Sequence, residues 1–221
     1  MPRKRLAVTG GSDVPAAHTG PTSPHIEMTL TGQLLIAMPA MMDPRFITSV
    51  VYLCAHTADG AMGIVVNRPL ASPSFSDLLQ QLGVDPVPPA RSIRLCQGGP
   101  VDNARGFVLH TADWTGDGSL RVDDATALTA SLDILKAIAG GGGPRQGLLA
   151  LGYAGWGPGQ LEQEIAQNAW LSAPADPDLL FDTEHETKWR RALAKLLVGS
   201  SEQPPKRPER ERRDDGERPK E

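Results

Sequence analysis

Apolar positions along the chain fall into short runs broken by glycine and proline, and they take helical spacing in only four places. The stretch 29–38 reads as a strand, after which Pro39 and Pro44 bracket a loop where a regular element must stop. Residues 48–55 are β-branched and apolar and predict a second strand, and 62–66 predict a third. The short connection between them holds Gly60, as a hairpin requires. Phe75, Leu78, Leu79 and Leu82 lie one helical face apart, and Gly83 ends that helix. Pro86, Pro88 and Pro89 then stiffen a loop. Strands are expected at 93–97 and 106–111, separated by the Gly98-Gly99-Pro100 turn, and a short one at 119–122. Asp123 or Asp124 is placed to cap a helix running to about Ala139, with Leu128, Leu132 and Leu135 on one face.

The densest signal lies at 148–171, LLALGYAGWGPGQLEQEIAQNAWL. A short apolar strand over 148–151 runs into a turn holding Gly152, Gly155, Gly157 and Gly159, and a helix starts near Pro158 with Leu161 and Ile165 on one face. Proline suits the first helical position, where its missing N–H is not needed. Two of the four tryptophans, Trp156 and Trp170, fall in this stretch. Residues 173–177, Ala-Pro-Ala-Asp-Pro, read as a rigid surface loop. The last helix spans about 184–198, with Trp189, Leu193 and Leu196 or Leu197 inward and Arg190, Arg191 and Lys195 outward. Short strands outnumber helices and several pair as antiparallel neighbours, which favours an α+β fold over regular βαβ alternation.

Four ordered blocks resemble the AlgH/YqgE family, small bacterial proteins described as uncharacterised or as transcriptional regulators: 34–70, 98–111, 148–171, and 168–182 followed by Trp189 and Leu193. The resemblance covers roughly 31–199 in the family's order and spacing. It implies a single domain whose mostly antiparallel sheet is bent or bifurcated and forms a pseudo-barrel with flanking helices. One departure is plain. The family commonly has Cys-Glu-His where this chain has Cys54-Ala55-His56, so no role of that glutamate carries over.

Composition sharpens the domain reading. Residues 1–24 are rich in Gly, Pro, Ser, Thr and Ala, and 202–221 are charged with nothing to bury; both are expected to be disordered, around a domain at 25–201. The net charge is −4, but the first 24 residues carry +2 and the last 20 carry zero, so the domain carries −6. An acidic domain lacks the Lys and Arg excess that non-specific nucleic-acid binding needs. Arg3-Lys4-Arg5 is not followed by an apolar run long enough for a signal peptide, and no stretch reaches about 20 apolar residues, so a cytoplasmic protein is expected. Cys54 and Cys96 sit in apolar runs without a CxxC pair, and no His pair has zinc spacing; reduced core thiols are expected, with no metal and no cofactor.

Candidate chemistry is sparse. The glycine turn before Gln160 could present backbone N–H groups to an anion, but it matches neither the Walker A nor the dinucleotide pattern, and Glu162 and Glu164 follow in the first helical turn. Trp156 in that turn is either a core plug or an exposed recognition residue. Asn67-Arg68 after a strand and Arg105 after the GGP turn can grip a carboxylate, or form loop-fixing ion pairs with Asp43, Asp59 or Asp102. Cys54 and His56, two apart on one strand, are expected on the same side, though no neighbour in sequence orients the imidazole. The leading reading is a non-enzymatic binding or regulatory protein acting on a protein partner. Its surface is expected at Asn67, Arg68, Gly98, Gly99, Arg105, Gly155, Trp156 and Gly157. An enzyme or ligand sensor near Cys54 and His56 is the alternative, and direct DNA binding through the final helix (Lys188, Arg190, Arg191, Lys195) the third.

Overall fold

The computed structural model describes residues 29–85 and 92–199; the expected terminal extensions and the Pro86, Pro88 and Pro89 loop lie outside the described residues. The elements follow in chain order as β1 (Gln33–Ala37), β2 (Val50–Thr57), β3 (Gly60–Val65), α1 (Phe75–Gln81), β4 (Arg94–Gln97), β5 (Val101–Thr111) and β6 (Ser119–Arg121). They continue with β7 (Thr126–Thr129), α2 (Leu132–Ala139), β8 (Gly147–Trp156), α3 (Gln160–Ala166), β9 (Trp170–Pro174), α4 (Pro177–Phe181) and α5 (His185–Gly199). The strands form one curled sheet in the order β6-β7-β5-β8-β3-β2-β1-β9, with β4 added beside β8. Every pairing is antiparallel except that of β4 with β8.

The long strand β8 explains the curl. Its first half pairs with β5 on one edge and with β4 on the other. Its second half keeps Val101 of β5 but exchanges β4 for β3. The sheet therefore forks where β3 and β4 part, and Gly98 sits in the fork: its N–H donates to Leu151 and its carbonyl accepts from Val65. No side chain fits there. A Cβ on Gly98 would lie 2.3 Å from the Gly152 carbonyl oxygen, and one on Gly99 would lie 2.1 Å from the Tyr153 carbonyl carbon. Gly152, opposite them, takes φ +73, a left-handed value that glycine adopts freely.

One face of the sheet carries a shared cluster that includes Leu34, Tyr52, Ile64, Cys96, Phe107, Leu128 and Leu148, closed by Leu179, Leu180 and Phe181 of α4 and Ala192 of α5. Trp189 ties α5 to the sheet by donating its indole N–H to the Ala37 carbonyl at 2.8 Å. The other face carries two clusters. Leu35, Val51, Leu53, Trp156 and Trp170 pack under α3 and the loop 38–49, and Val108 and Leu149 pack under α1 and α2. This is the α+β single domain that the periodicity and the resemblance imply.

The sequence reading fails in four places, each for a tertiary reason. Asp123 caps no helix. Its carboxylate accepts from Tyr52 Oη at 2.6 Å and from the Ala125 and Thr126 N–H groups at 2.8 Å, and the β-branched run at 126–129 forms β7 instead. Helix α2 begins only after Ser131. The glycine-rich run does not turn at Gly152; β8 continues to Trp156 because β3 supplies a partner edge. The expected loop at 173–177 is split between β9, zipped along all of β1, and α4, whose first N–H groups are capped by Asp176.

Glu164 of α3 accepts both buried indoles, Trp156 Nε1 at 2.9 Å and Trp170 Nε1 at 2.8 Å, and also Gln160 Nε2 at 2.8 Å. Phe46 packs on both rings, stacked on Trp156 and edge-on to Trp170. Replacing Glu164 by Ala leaves two indole N–H groups without an acceptor and should cost about 2–4 kcal/mol of unfolding free energy. Glu164→Gln, which keeps one acceptor oxygen, should cost less. Urea titration of both variants checks this, and a Glu164→Ala midpoint equal to that of the parent would refute the role.

Candidate functional site

The expected contact residues do not form one patch. Gly98 and Gly99 are the fork of the sheet. Asn67 is spent on structure: its Oδ1 accepts from Val50 N–H at 2.8 Å and its Nδ2 donates to the Thr48 carbonyl at 2.8 Å. Trp156 is 6% exposed, so its ring is a core plug and not a contact surface. Gly155 pairs with Met62 across β3, and Gly157 donates its N–H to Gln160 Oε1 at 3.0 Å. Arg105 is exposed, with its guanidinium 5.0 Å from the centre of the Phe107 ring. Arg68 donates to the Ile47 carbonyl at 3.1 Å. Neither arginine forms an ion pair with a carboxylate among the described residues.

What the fold does assemble is a small open cleft of about 50 Å³ lined by Arg45, Val65, Arg68, Gln97, Gly99 and Pro100. Rigid elements place its walls. The fork fixes Gly99, and Gln97 N–H donates to the Arg68 carbonyl at 2.8 Å. Arg45 forms a two-pronged pair with Asp43, Nε to Oδ1 at 3.0 Å and Nη2 to Oδ2 at 2.7 Å. That pair holds the Asp43 carboxyl below its usual pKa of 3.8. On the same loop, Met42 is 91% and Ile47 46% exposed. The sequence reading missed Arg45, Met42 and Ile47. Two adjacent methionines between Pro39 and Pro44, and an isoleucine three residues beyond, were the available signal.

The Cys54 and His56 pair is not assembled. The β2–β3 register shifts between Leu53 and Ala55, a bulge that breaks the alternation of faces. Cys54 therefore lies in the cluster with Tyr52, whereas His56 stands opposite Ala61, a residue of the cluster on the other face. Burial pushes the Cys54 thiol far up, with the Asp123 charge adding to the effect. His56 has both nitrogens engaged: Nδ1 accepts from Leu30 N–H at 3.1 Å, which leaves Nε2 to donate to Glu162 Oε1 at 2.6 Å. Glu162, distant in sequence, thus orients the imidazole. Among the described residues no three His, Cys, Asp or Glu side chains gather in a way that could hold a metal ion.

The final helix differs from its expected role. Lys188 is fully buried, donating to the Leu180 carbonyl at 3.1 Å and pairing with Asp182 at 3.3 Å. Arg191 pairs with the same carboxylate, and Lys195 pairs with Asp176. Three of the four cations proposed to face DNA are therefore spent on internal pairs. Arg94 of β4 completes this corner by donating to the Phe181 carbonyl at 2.7 Å.

The chain is thus a single-domain α+β protein whose exposed chemistry sits on loops carried by a rigid forked sheet. It belongs to the AlgH-like family, whose model matches residues 34–200. A UPF0301 protein of Gluconobacter oxydans is 56% identical, covering 80% of this chain and 98% of that one. One from Rhodospirillum rubrum is 55% identical, over 76% and 88%. The solution structure of the AlgH protein from Pseudomonas aeruginosa matches with a TM-score of 0.66 and 44% identity, covering 83% of this chain and 97% of that one. A crystal structure from Corynebacterium diphtheriae, at 23% identity and a TM-score of 0.55, covers 74% and 85% and shares the fold.

His185 opens α5 beside Arg94, Lys188 and Asp182. Burial pushes its pKa below 6.5, and Arg94 and Lys188 act in the same direction. A histidine with a lowered folded pKa binds fewer protons folded than unfolded over the interval between the two values. Its stabilising contribution is therefore complete above 6.5 and is lost as the pH falls through the folded pKa. Denaturant midpoints measured between about pH 7 and pH 5 should fall for the parent chain and fall less for His185→Asn. Equal slopes would remove His185 as the cause.

Proposed function

We propose that this chain is a cytoplasmic, non-catalytic binding protein that regulates by docking a partner protein at the Arg45–Arg68 cleft. The observation that carries the reading is the loop 38–49. It holds Met42 and Ile47 out to solvent beside Arg45 and Arg68, while its own base is anchored by Phe46 on the two tryptophans. An adaptable methionine next to an arginine is the composition of a protein-contact hot spot. Loops positioned by a rigid scaffold commonly carry recognition. The partner segment that suits this cleft is apolar with a flanking carboxylate, since Arg68, near enough to Asp43 to feel its charge, forms no direct ion pair among the described residues.

The placement of Cys54 and His56 on opposite faces supports binding over nucleophilic chemistry. The ion-paired final helix, in an acidic domain, supports a protein partner over DNA. Two buried free thiols suit a reducing compartment. Among the described residues no helix is long and apolar enough to cross a membrane.

The test compares the parent chain with a folded Met42→Asp/Arg68→Glu variant as baits in native lysate, followed by affinity measurement against the purified partner. A partner that binds the parent at least about tenfold more tightly than the variant locates the surface (a factor of ten is about 1.4 kcal/mol). A partner bound equally by both, or none bound by either, sinks the reading.

A further inference from the structure

The Arg45–Arg68 cleft is too small to enclose a ligand. At about 50 Å³ it lies far below the roughly 300–1,000 Å³ of a small-molecule site, so it has room for one head group only. Its lining selects the kind. Arg45 is held by Asp43, with the Glu164 charge also acting on it. Arg68 spends Nη2 on the Ile47 carbonyl, and its other N–H groups have no acceptor among the described residues.

Two further donors line the same opening. Gly99 is buried, yet its N–H has no acceptor among the described residues. A buried backbone N–H without a partner is rare. The Tyr153 backbone pressed against Gly99 leaves no slack for that N–H to turn elsewhere. The Gln97 side chain is exposed, and its carboxamide has no partner among the described residues either. The Gln97 N–H donates to the Arg68 carbonyl, so these two side chains start from adjoining points. No acidic side chain is in the lining. A guanidinium, a carboxamide and a fixed backbone N–H around one small opening suit an oxyanion.

We propose that this pocket takes the terminal α-carboxylate of a partner chain whose last residue is apolar. The proposal rests on the docking reading above and names which end of the partner docks. Arg68 Nη2 lies 3.1 Å from the Ile47 carbonyl, so the anion donor and the exposed Ile47 are neighbours. A chain end carries its carboxylate and its last side chain on one α-carbon. With the carboxylate on Arg68 and Gly99, that side chain reaches Ile47 and removes apolar surface from water. An aspartate or glutamate belongs to a chain that continues both ways. Both directions would have to clear the 97–100 turn and the 38–49 loop that wall the cleft.

Amide NMR of the full chain tests this with three probes: N-acetyl-leucyl-leucine, its C-terminal amide, and N-acetyl-leucyl-glutamate amidated at its α-carboxyl. The free acid should give saturable shifts at 42–47, 65–68 and 97–100. It should also move the Gly99 amide proton downfield, as a new hydrogen bond to a carboxylate does. Both amidated probes should bind at least about tenfold more weakly. Arg68→Gln should bring the acid to the affinity of its amide. Gln97→Ala, at an exposed position, should weaken the acid severalfold and leave the amide unaltered. Amide dispersion like that of the parent establishes that each variant is folded. A Gly99 proton that stays in place at saturation, or equal affinity for acid and amide, overturns the pocket. Equal binding of the glutamate probe overturns the chain-end assignment and leaves partner docking standing. So does a lysate partner, lost from Met42→Asp/Arg68→Glu, that still binds after carboxypeptidase has removed its last residues. An acid that fills the pocket as described upholds it even where lysate returns no partner, which tells the two failures apart.

Discussion

At the fork of the sheet, Gly99 lies so close to the Tyr153 carbonyl that a β-carbon there would sit inside bonding-like distances of the backbone opposite. Gly98 bridges Leu151 and Val65 from the same point. Much else depends on this contact. It lets β8 hold β4 along one half and β3 along the other, and that exchange curls the sheet and divides its outer face in two. Glycine is required for its lack of a side chain, so the most conspicuous motif of the sequence is architectural before it is functional.

Polar groups reinforce the same frame. Asp123 joins β2 to the β6–β7 turn through Tyr52 and Thr126. Burial alone would raise its pKa, but the hydrogen bonds from Tyr52, Ala125 and Thr126 outweigh burial and hold the carboxyl ionised. Asp182 gathers Lys188 and Arg191 at the α4–α5 corner, and Glu164 gathers two indoles under α3. Ion pairs at such half-buried corners contribute little net energy, but a partner removed leaves a charge stranded, so they fix geometry more than they add stability. The consequence for function is direct. Most of the residue types that suggest chemistry in this chain are already committed to holding it together.

What remains open to solvent lies at the margins of rigid elements. Arg68 lines one opening with Val65 and Pro100, and Leu82 and Leu132 line another. Both sit where the sheet departs from regular pairing, one beside the fork and one beside the β5 bulge. Irregular pairing turns side chains outward that a continuous ladder would bury.

The two-residue and 3.6-residue periodicities by themselves determined most strands, the hairpin at Gly60, α1, and the inward face of α5. Four long blocks in family order determined the architecture class. These features are local, because each depends on residues a few positions apart. Tertiary structure alone decided the rest. A partner edge kept β8 extended through its glycines, and a bulge put His56 on the opposite face from Cys54. A carboxylate 71 residues from Tyr52 made Asp123 a cross-link instead of a helix cap. Lys188 looked like a surface charge until α4 and β4 enclosed it, since burial is a property of what packs against a residue and not of the residue.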